Sequence, residues 1–267
     1  MARIGIVAGD GRLPIVFANF AKAKGDTVIG FGLKGITDEK LSASVDKMHW
    51  LEWGALQKGL LLLVSERIGS IALLGKLKKE TFFKDPSALD EQAKKALEKI
   101  KDKKDYSILN EVSRILSKIG IRIIDPTNYL SGLIPKKGIL TKSQPTESEA
   151  EDIKYGTLIA KSLSGFDVGQ TIVLKEKTVI AVEAMEGTDE TIRRAGSLVK
   201  NGFTVVKVAR PNQDMRFDVP LVGLDTLNAL IEAGGRVLAL ESEKTLLMDR
   251  EALIKLADEK NVSIAIF

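Results

Sequence analysis

The sequence predicts an α/β protein: a Rossmann-like N-terminal domain on a parallel sheet, then a second α/β domain with a mixed sheet. Three observations carry this. In the first half, short apolar runs alternate with amphipathic stretches at the spacing of strand–helix–strand crossovers. The segment "SGLIPKKGILTKSQPTES" then breaks the pattern with prolines and glycines. Beyond it, "GQTIVLK" and "TVIAVEAM" are separated by "EK" alone, a hairpin spacing that a purely parallel sheet does not allow. The expected boundaries are residues 1–130 for the first domain, 131–147 for the connection and 148–267 for the second, catalytic domain.

The elements follow in order. "ARIGIVAG" is a strand bounded by glycine, and "LPIVFANFAKAKG" is a helix with Pro14 in its first turn and Gly25 past its end. "DTVIGFGL", the helix "GALQKGLLLLVSERIG" and "SIALLG" continue the alternation. "DPSALDEQAKKALEKI" and "YSILNEVSRILSKIG" are amphipathic helices, and "IRIID" is a short strand. In the second domain, "ESEAEDIKYGTLIAKSLSG" opens as a helix ahead of the hairpin. The helix "DETIRRAGSLVKNG" leads to the strand "FTVVKVA". Then come the strand "DVPLVG", the helix "LDTLNALIEAGG", the strands "RVLALE" and "KTLLMD", the helix "REALIKLADEK" and the strand "VSIAIF".

Composition narrows the chemistry. The 267 residues carry a net charge of +4 with acids and bases interspersed, and no arginine block is interleaved with aromatics, so nucleic acid is not an expected partner. There is no cysteine, which removes disulfides and thiolate metal sites. The single histidine, His49 in "KMHWLEWG", leaves no zinc cluster and reads as structural or as part of an interface. "MARIGIVAG" lacks a signal-peptide h-region, and "LLLLV" is far short of a membrane span. A cytoplasmic protein is expected.

Two regions carry candidate chemistry. The turn "AGDGRLP" joins the first strand to the first helix. Gly9 and Gly11 allow a close backbone approach, and Asp10, Arg12 and Leu13 stand where helix N-terminal amides meet an anion. Its third glycine position is Pro14, and the second strand ends in Lys34 rather than an acid, so nicotinamide binding is disfavoured. Gly75 and Lys76, in "LLGKLKKE", form a second glycine-to-helix junction near the same sheet edge. In the second domain, "VEAMEGTDETIRRAG" brings Glu183 and Glu186 to the end of an apolar strand. Thr188 reads as the cap of a helix beginning at Asp189. Glu183 reads as the end of a strand buried on both faces, in need of a cation or of donors; an ion pair to Arg193 or Arg194 would also satisfy it. "VKVARPNQDMRFDVP" gathers Lys207, Arg210, Gln213, Arg216 and Asp218. Carboxylates, guanidiniums and amides together suit phosphate plus a hard divalent cation, and equally a polar loop of pairwise ion pairs. Gln170, Gly187 and Thr188 complete the candidate substrate contacts.

"IGIVAGDGRLP", "AVEAMEGTDETIRR" and "QDMRFDVPLVGLDT" together resemble the LpxI-type UDP-2,3-diacylglucosamine pyrophosphatases, in order and over the whole chain. "EGTD" with "R-x-D-[LV]-P" is the specific part. The resemblance implies Mg²⁺-dependent hydrolysis (Mn²⁺ as a substitute) of UDP-2,3-diacylglucosamine to lipid X and UMP in lipid A synthesis. It implies a lipid held between two domains, a homodimer and transient contact with the inner membrane surface. The essential aspartate of the "R-x-D-x-P" motif corresponds to Asp218, with Glu183 and Asp189 as further candidates around the metal. Related sequences carry an asparagine where this chain has Lys76. Two other readings stay open at this point: a non-catalytic nucleotide-sugar or lipid-binding module, and a dinucleotide-dependent oxidoreductase.

Overall fold

The computed structural model describes residues 1–77, 88–100, 105–217 and 219–267. The chain divides into two compact units: Met1–Leu130 with Met215–Asp218, and Ser131–Asp214 with Val219–Phe267.

In the first unit, β1 (Arg3–Ala8), β2 (Thr27–Leu33), β3 (Lys47–Leu51), β4 (Ser70–Leu74) and β5 (Arg122–Ile123) form a parallel sheet in the order β3-β2-β1-β4-β5. β1 lies at the centre, so "IGI" is buried on both faces, as a continuous apolar run in a parallel sheet should be. β3 is the one strand of this sheet that the apolar pattern misses. "KMHWL" is an edge strand with only Leu51 buried, so no run of apolar residues marks it. Gly30 and Gly32 of β2 make room for it: a Cβ at either would collide with the Met48 side chain. α1 (Leu13–Ala23) buries Phe17, Ala18 and Ala21. α2 (Leu56–Ser65), α3 (Glu91–Glu98), α4 (Asp105–Lys118) and α5 (Thr127–Leu130) follow. Phe217, from the short second segment, packs into the same core as Phe31, Ile71 and Leu116.

In the second unit, β6 (Gly138–Ile139), β7 (Thr171–Lys175), β8 (Thr178–Val182), β9 (Phe203–Lys207), β11 (Gly235–Leu240) and β13 (Ser263–Ile266) form a mixed sheet in the order β6-β13-β11-β9-β7-β8. β9, β11 and β13 are parallel, while β6, through β13, and β7 run antiparallel to their neighbours. β6 comes from the segment read as a connection, and two residues are too few for a periodic signal. β10 (Leu221–Val222) and β12 (Leu246–Leu247) pair in a separate two-stranded ribbon. α6 (Glu147–Gly165) starts with a capping box formed by Thr146 and Glu149. α7 (Thr188–Leu198), α8 (Leu224–Glu232) and α9 (Arg250–Glu259) complete the unit. One core joins β7–β9, β11 and β13 to the helices α7–α9, and a second lies under α6.

The two-residue β7–β8 hairpin has Glu176 and Lys177 at φ +52° and +59°. The carboxylate of Asp152, 2% exposed on α6, accepts from both of their backbone amides, at 3.0 and 2.6 Å. Asp152→Ala leaves both amides without that acceptor. It is expected to lower unfolding free energy by roughly 1–3 kcal/mol, read from urea denaturation.

Candidate functional site

β9 is buried along its whole length, and its last residue is Lys207, only 7% exposed. The antiparallel register with β7 sets Thr171 opposite Lys207. β8 ends at Val182, and the next residue, Glu183, donates its amide to the Thr171 carbonyl at 2.9 Å. Gly169 permits that approach, since a Cβ there would collide with the Glu183 backbone. The chain then turns through Gly187, at φ +83°, into α7. Carboxyl ends of parallel strands and a helix N-terminus therefore meet at one sheet edge, where open α/β sheets bind ligands.

The side chains there form one network. Lys207 Nζ donates to Thr188 Oγ1 at 2.7 Å, and Thr188 Oγ1 donates to Glu183 Oε1 at 3.0 Å. An ammonium only donates, so the Thr188 proton is directed towards Glu183. Gln170 gives its backbone amide to Glu183 Oε2 at 3.2 Å, and the Thr171 hydroxyl bonds the same carboxylate. Burial pushes the Glu183 carboxyl up, but the Lys207 charge and these hydrogen bonds outweigh it and hold the group below its ordinary value.

Three local expectations shift in detail. β8 is the outer strand of its sheet with Thr178 and Val179 exposed, so Glu183 follows an edge strand rather than one buried on both faces. Gly187 is the N-cap and Thr188 the first helical residue, because the Thr188 hydroxyl is committed to Lys207 and Glu183. The arginines pair elsewhere: Arg194 with Glu186 at 2.7 Å and Arg193 with Glu190 at 2.6 Å. For Glu186, burial again acts upward, and its own amide, Arg194 and Thr191 bring the net value below the ordinary one. Asp189 Oδ1 accepts from Thr226 on α8 at 2.7 Å.

The loop after β9 is held by its own contacts. Arg210 pairs with Asp167 at 2.8 Å, while its amide donates to Gln213 Oε1 and its carbonyl accepts from the Gln213 amide, both at 3.1 Å. Arg216 belongs to the first unit, its guanidinium 4.9 Å from the centre of the Phe217 ring. Asp218 lies outside the described residues.

In the first unit, Gly9, Asp10, Gly75 and Lys76 come together, chiefly to hold one another. Gly9 donates to the Leu74 carbonyl at 2.7 Å, and Asp10 and Lys76 exchange backbone hydrogen bonds at 2.8 Å. A Cβ on Gly9 would lie 2.6 Å from the Lys76 carbonyl oxygen, and one on Gly75 would lie 2.7 Å from that of Asp10. The close approach that these glycines allow is thus between two backbone segments. Gly11, at φ +100°, has open space where a Cβ would be. Arg12 stands at the N-cap position of α1 without a side-chain capping hydrogen bond, and the Leu13 side chain is buried. His49 sits in β3, 2.8 Å from Glu66, which also binds Arg3 and Lys47 and is lowered to about 2, chiefly by Lys47 and then by His49.

Sequence reading did not single out Thr171 or Thr226. Thr171 joins the site only through its register opposite Lys207, and Thr226 only through the packing of α7 on α8. Neither spacing is visible along the chain.

Residues 3–133 match the family described as the LpxI N-terminal domain, and residues 136–265 match the LpxI C-terminal domain. The UDP-2,3-diacylglucosamine pyrophosphatase LpxI of Caulobacter vibrioides is 28% identical over 274 residues, spanning 97% of this chain and 95% of that protein. Solved structures overlap weakly. The biotin carboxylase subunit of a pyruvate carboxylase gives a TM-score of 0.25 at 13% identity, covering 70% of this chain and 39% of that one. The N5-carboxyaminoimidazole ribonucleotide synthetase of Thermotoga maritima gives 0.26 at 16%, covering 70% and 42%. This chain spans about two-fifths of those structures, and at such scores the likeness establishes neither fold nor function.

Proposed function

We propose, from the premise that this chain belongs to the LpxI family, that it hydrolyses the pyrophosphate of UDP-2,3-diacylglucosamine to 2,3-diacylglucosamine 1-phosphate (lipid X) and UMP. The observation that carries this reading is a buried lysine, Lys207, linked through the Thr188 hydroxyl to Glu183 at a sheet edge beside the first turn of α7. A diphosphate diester concentrates negative charge. Its hydrolysis adds water oxygen to one phosphorus, breaks that phosphorus's bond to the bridging oxygen and leaves two phosphate monoesters. What the protein can supply is positioning and charge.

Lys207, with the amides at the start of α7 around Gly187 and Thr188, holds phosphate oxygens in this reading. Glu183 keeps the Thr188 hydroxyl oriented. Arg210 and Arg216 take further phosphate oxygens, and Gln170 and Gln213 orient the loops beside them. Gly11 and Arg12, at the start of α1, are proposed as substrate contacts as well. Asp218 is the proposed catalytic residue, orienting the attacking water and accepting its proton.

Mg²⁺, or Mn²⁺ in its place, is the proposed cofactor, and the donor set suits it: oxygen ligands, no cysteine, and the one histidine engaged with Glu66. Among the described residues no three His, Cys, Asp or Glu side chains are grouped to hold an ion. In this reading the cation is held by one or two carboxylates and the substrate's phosphates. Asp218 and Asp189 would hold it, with Glu183 acting through the ion's waters; when bound, it would neutralise diphosphate charge. The proposal extends to a homodimer in the cytoplasm with transient contact at the inner membrane surface, where a diacylated substrate would reside. Among the described residues no helix is long and apolar enough to cross a membrane.

The test is release of UMP and lipid X from UDP-2,3-diacylglucosamine by the purified chain. Equimolar products are expected, lost in chelator and restored by Mg²⁺ or Mn²⁺. Substrate binding without UMP under any divalent cation would leave a binding module instead.

A further inference from the structure

Glu241 follows the last residue of β11, beside the end of β9. Its Oε2 accepts from the Ala209 amide at 2.7 Å, and its Oε1 pairs with Lys161 Nζ of α6, also at 2.7 Å. Lys161 in turn donates to the Ala209 carbonyl at 2.9 Å. The two ends of one ion pair thus grip the N–H and the C=O of a single fully buried residue.

This is an unusual way to satisfy a peptide. Two buried backbone groups need partners, but neutral side chains or water provide them without desolvating charges. Here both charged groups are substantially buried, with side chains 32% and 18% exposed. The gripped residue is separated from the buried Lys207 by Val208 alone and immediately precedes Arg210, whose guanidinium is held to Asp167. The Glu241 amide also donates to the Lys207 carbonyl at 3.2 Å. The contacts therefore fix the backbone between two cations.

We infer that Lys161 and Glu241 are positioning residues for diphosphate hydrolysis, setting the spacing at which Lys207 and Arg210 meet the phosphates. This rests on the function proposed above. The clamp acts through its neighbours and does not itself touch the substrate.

The test is a double-mutant cycle on UMP release, with Glu241→Ala and Arg210→Ala singly and combined, alongside Glu241→Gln and thermal melts. Glu241→Ala is expected to lower kcat/KM roughly tenfold in the wild-type background and less than about threefold once Arg210 is gone, because a positioning effect vanishes with the group it positions. Glu241→Gln keeps an oxygen acceptor for the Ala209 amide and recovers most of the activity. Should Glu241→Ala fail to fold, Lys161→Met enters the same cycle. Equal losses in both Arg210 backgrounds, with wild-type turnover intact, overturn the clamp alone. A wild-type protein that releases no UMP overturns the proposed function and the clamp with it.

Discussion

Asp218→Asn is expected to cut UMP release from UDP-2,3-diacylglucosamine by roughly 10²–10⁴-fold, the range of a lost general base in a proton-transfer step. The substitution keeps size and hydrogen-bonding capacity and removes only the charge and basicity. It also weakens one proposed ligand to the cation, so at saturating Mg²⁺ substrate binding should persist, and kcat should fall far more than KM rises. The expectation follows from the proposed function and from the segment itself. "MRFDVP" sets the carboxylate immediately after Phe217, whose ring packs in the first unit's core, and two residues before Pro220. Steady-state kinetics with equilibrium binding of the intact substrate separates the outcomes. A variant that turns over at the wild-type rate removes Asp218 from the chemistry. A variant that no longer binds makes it a substrate contact instead.

What was legible in the sequence follows from how local each signal is. β1 and β9 announce themselves because they are buried on nearly every residue, and the β7–β8 hairpin because two residues cannot make a crossover. β3 and β6 carry no such mark. One is a mostly half-exposed edge strand and the other is two residues long, and both exist because a neighbouring strand offers a free edge. The candidate site divides in the same way. Lys207 and Glu183 stand out as charges ending apolar runs. Thr171 is hidden because its relevance depends on cross-strand register, and Glu241 with Lys161 because α6 and β11 lie far apart along the chain. Gly9 and Gly75 are conspicuous in sequence, yet a glycine reports a close approach without saying whether the visitor is a ligand or another stretch of backbone. Here the visitor is backbone.

Lys207→Met is expected to impair both activity and stability, and the two effects should separate. Removing the ammonium takes a phosphate-binding charge from the proposed site, for which a loss of roughly 10²–10³-fold in kcat is the scale of one preorganised electrostatic group. It also takes from Glu183 the cation that acts against its burial and from Thr188 a hydrogen-bond donor, a loss on the order of 1–3 kcal/mol. The pH dependence gives the sign. In the wild-type protein the folded-state value of Glu183 lies below its unfolded one. Its contribution to stability is therefore present above the ordinary glutamate range and lost as pH falls through the folded value. Without Lys207, burial acts with less opposition. If it prevails and the folded value rises above the unfolded one, the folded state binds the extra proton and the contribution to stability declines as pH rises. Glu183→Gln in the Lys207→Met background removes the titrating group, so it should restore stability near neutral pH and flatten this component of the pH profile. It should not restore hydrolysis, because the missing ammonium is still missing. Urea denaturation across pH 4–8 for the single and double variants, with UMP release on the same preparations, tests both halves. If the double variant is no more stable at neutral pH than Lys207→Met alone, the pair is not an energetic unit. If Lys207→Met hydrolyses at the wild-type rate, the phosphate contact lies elsewhere.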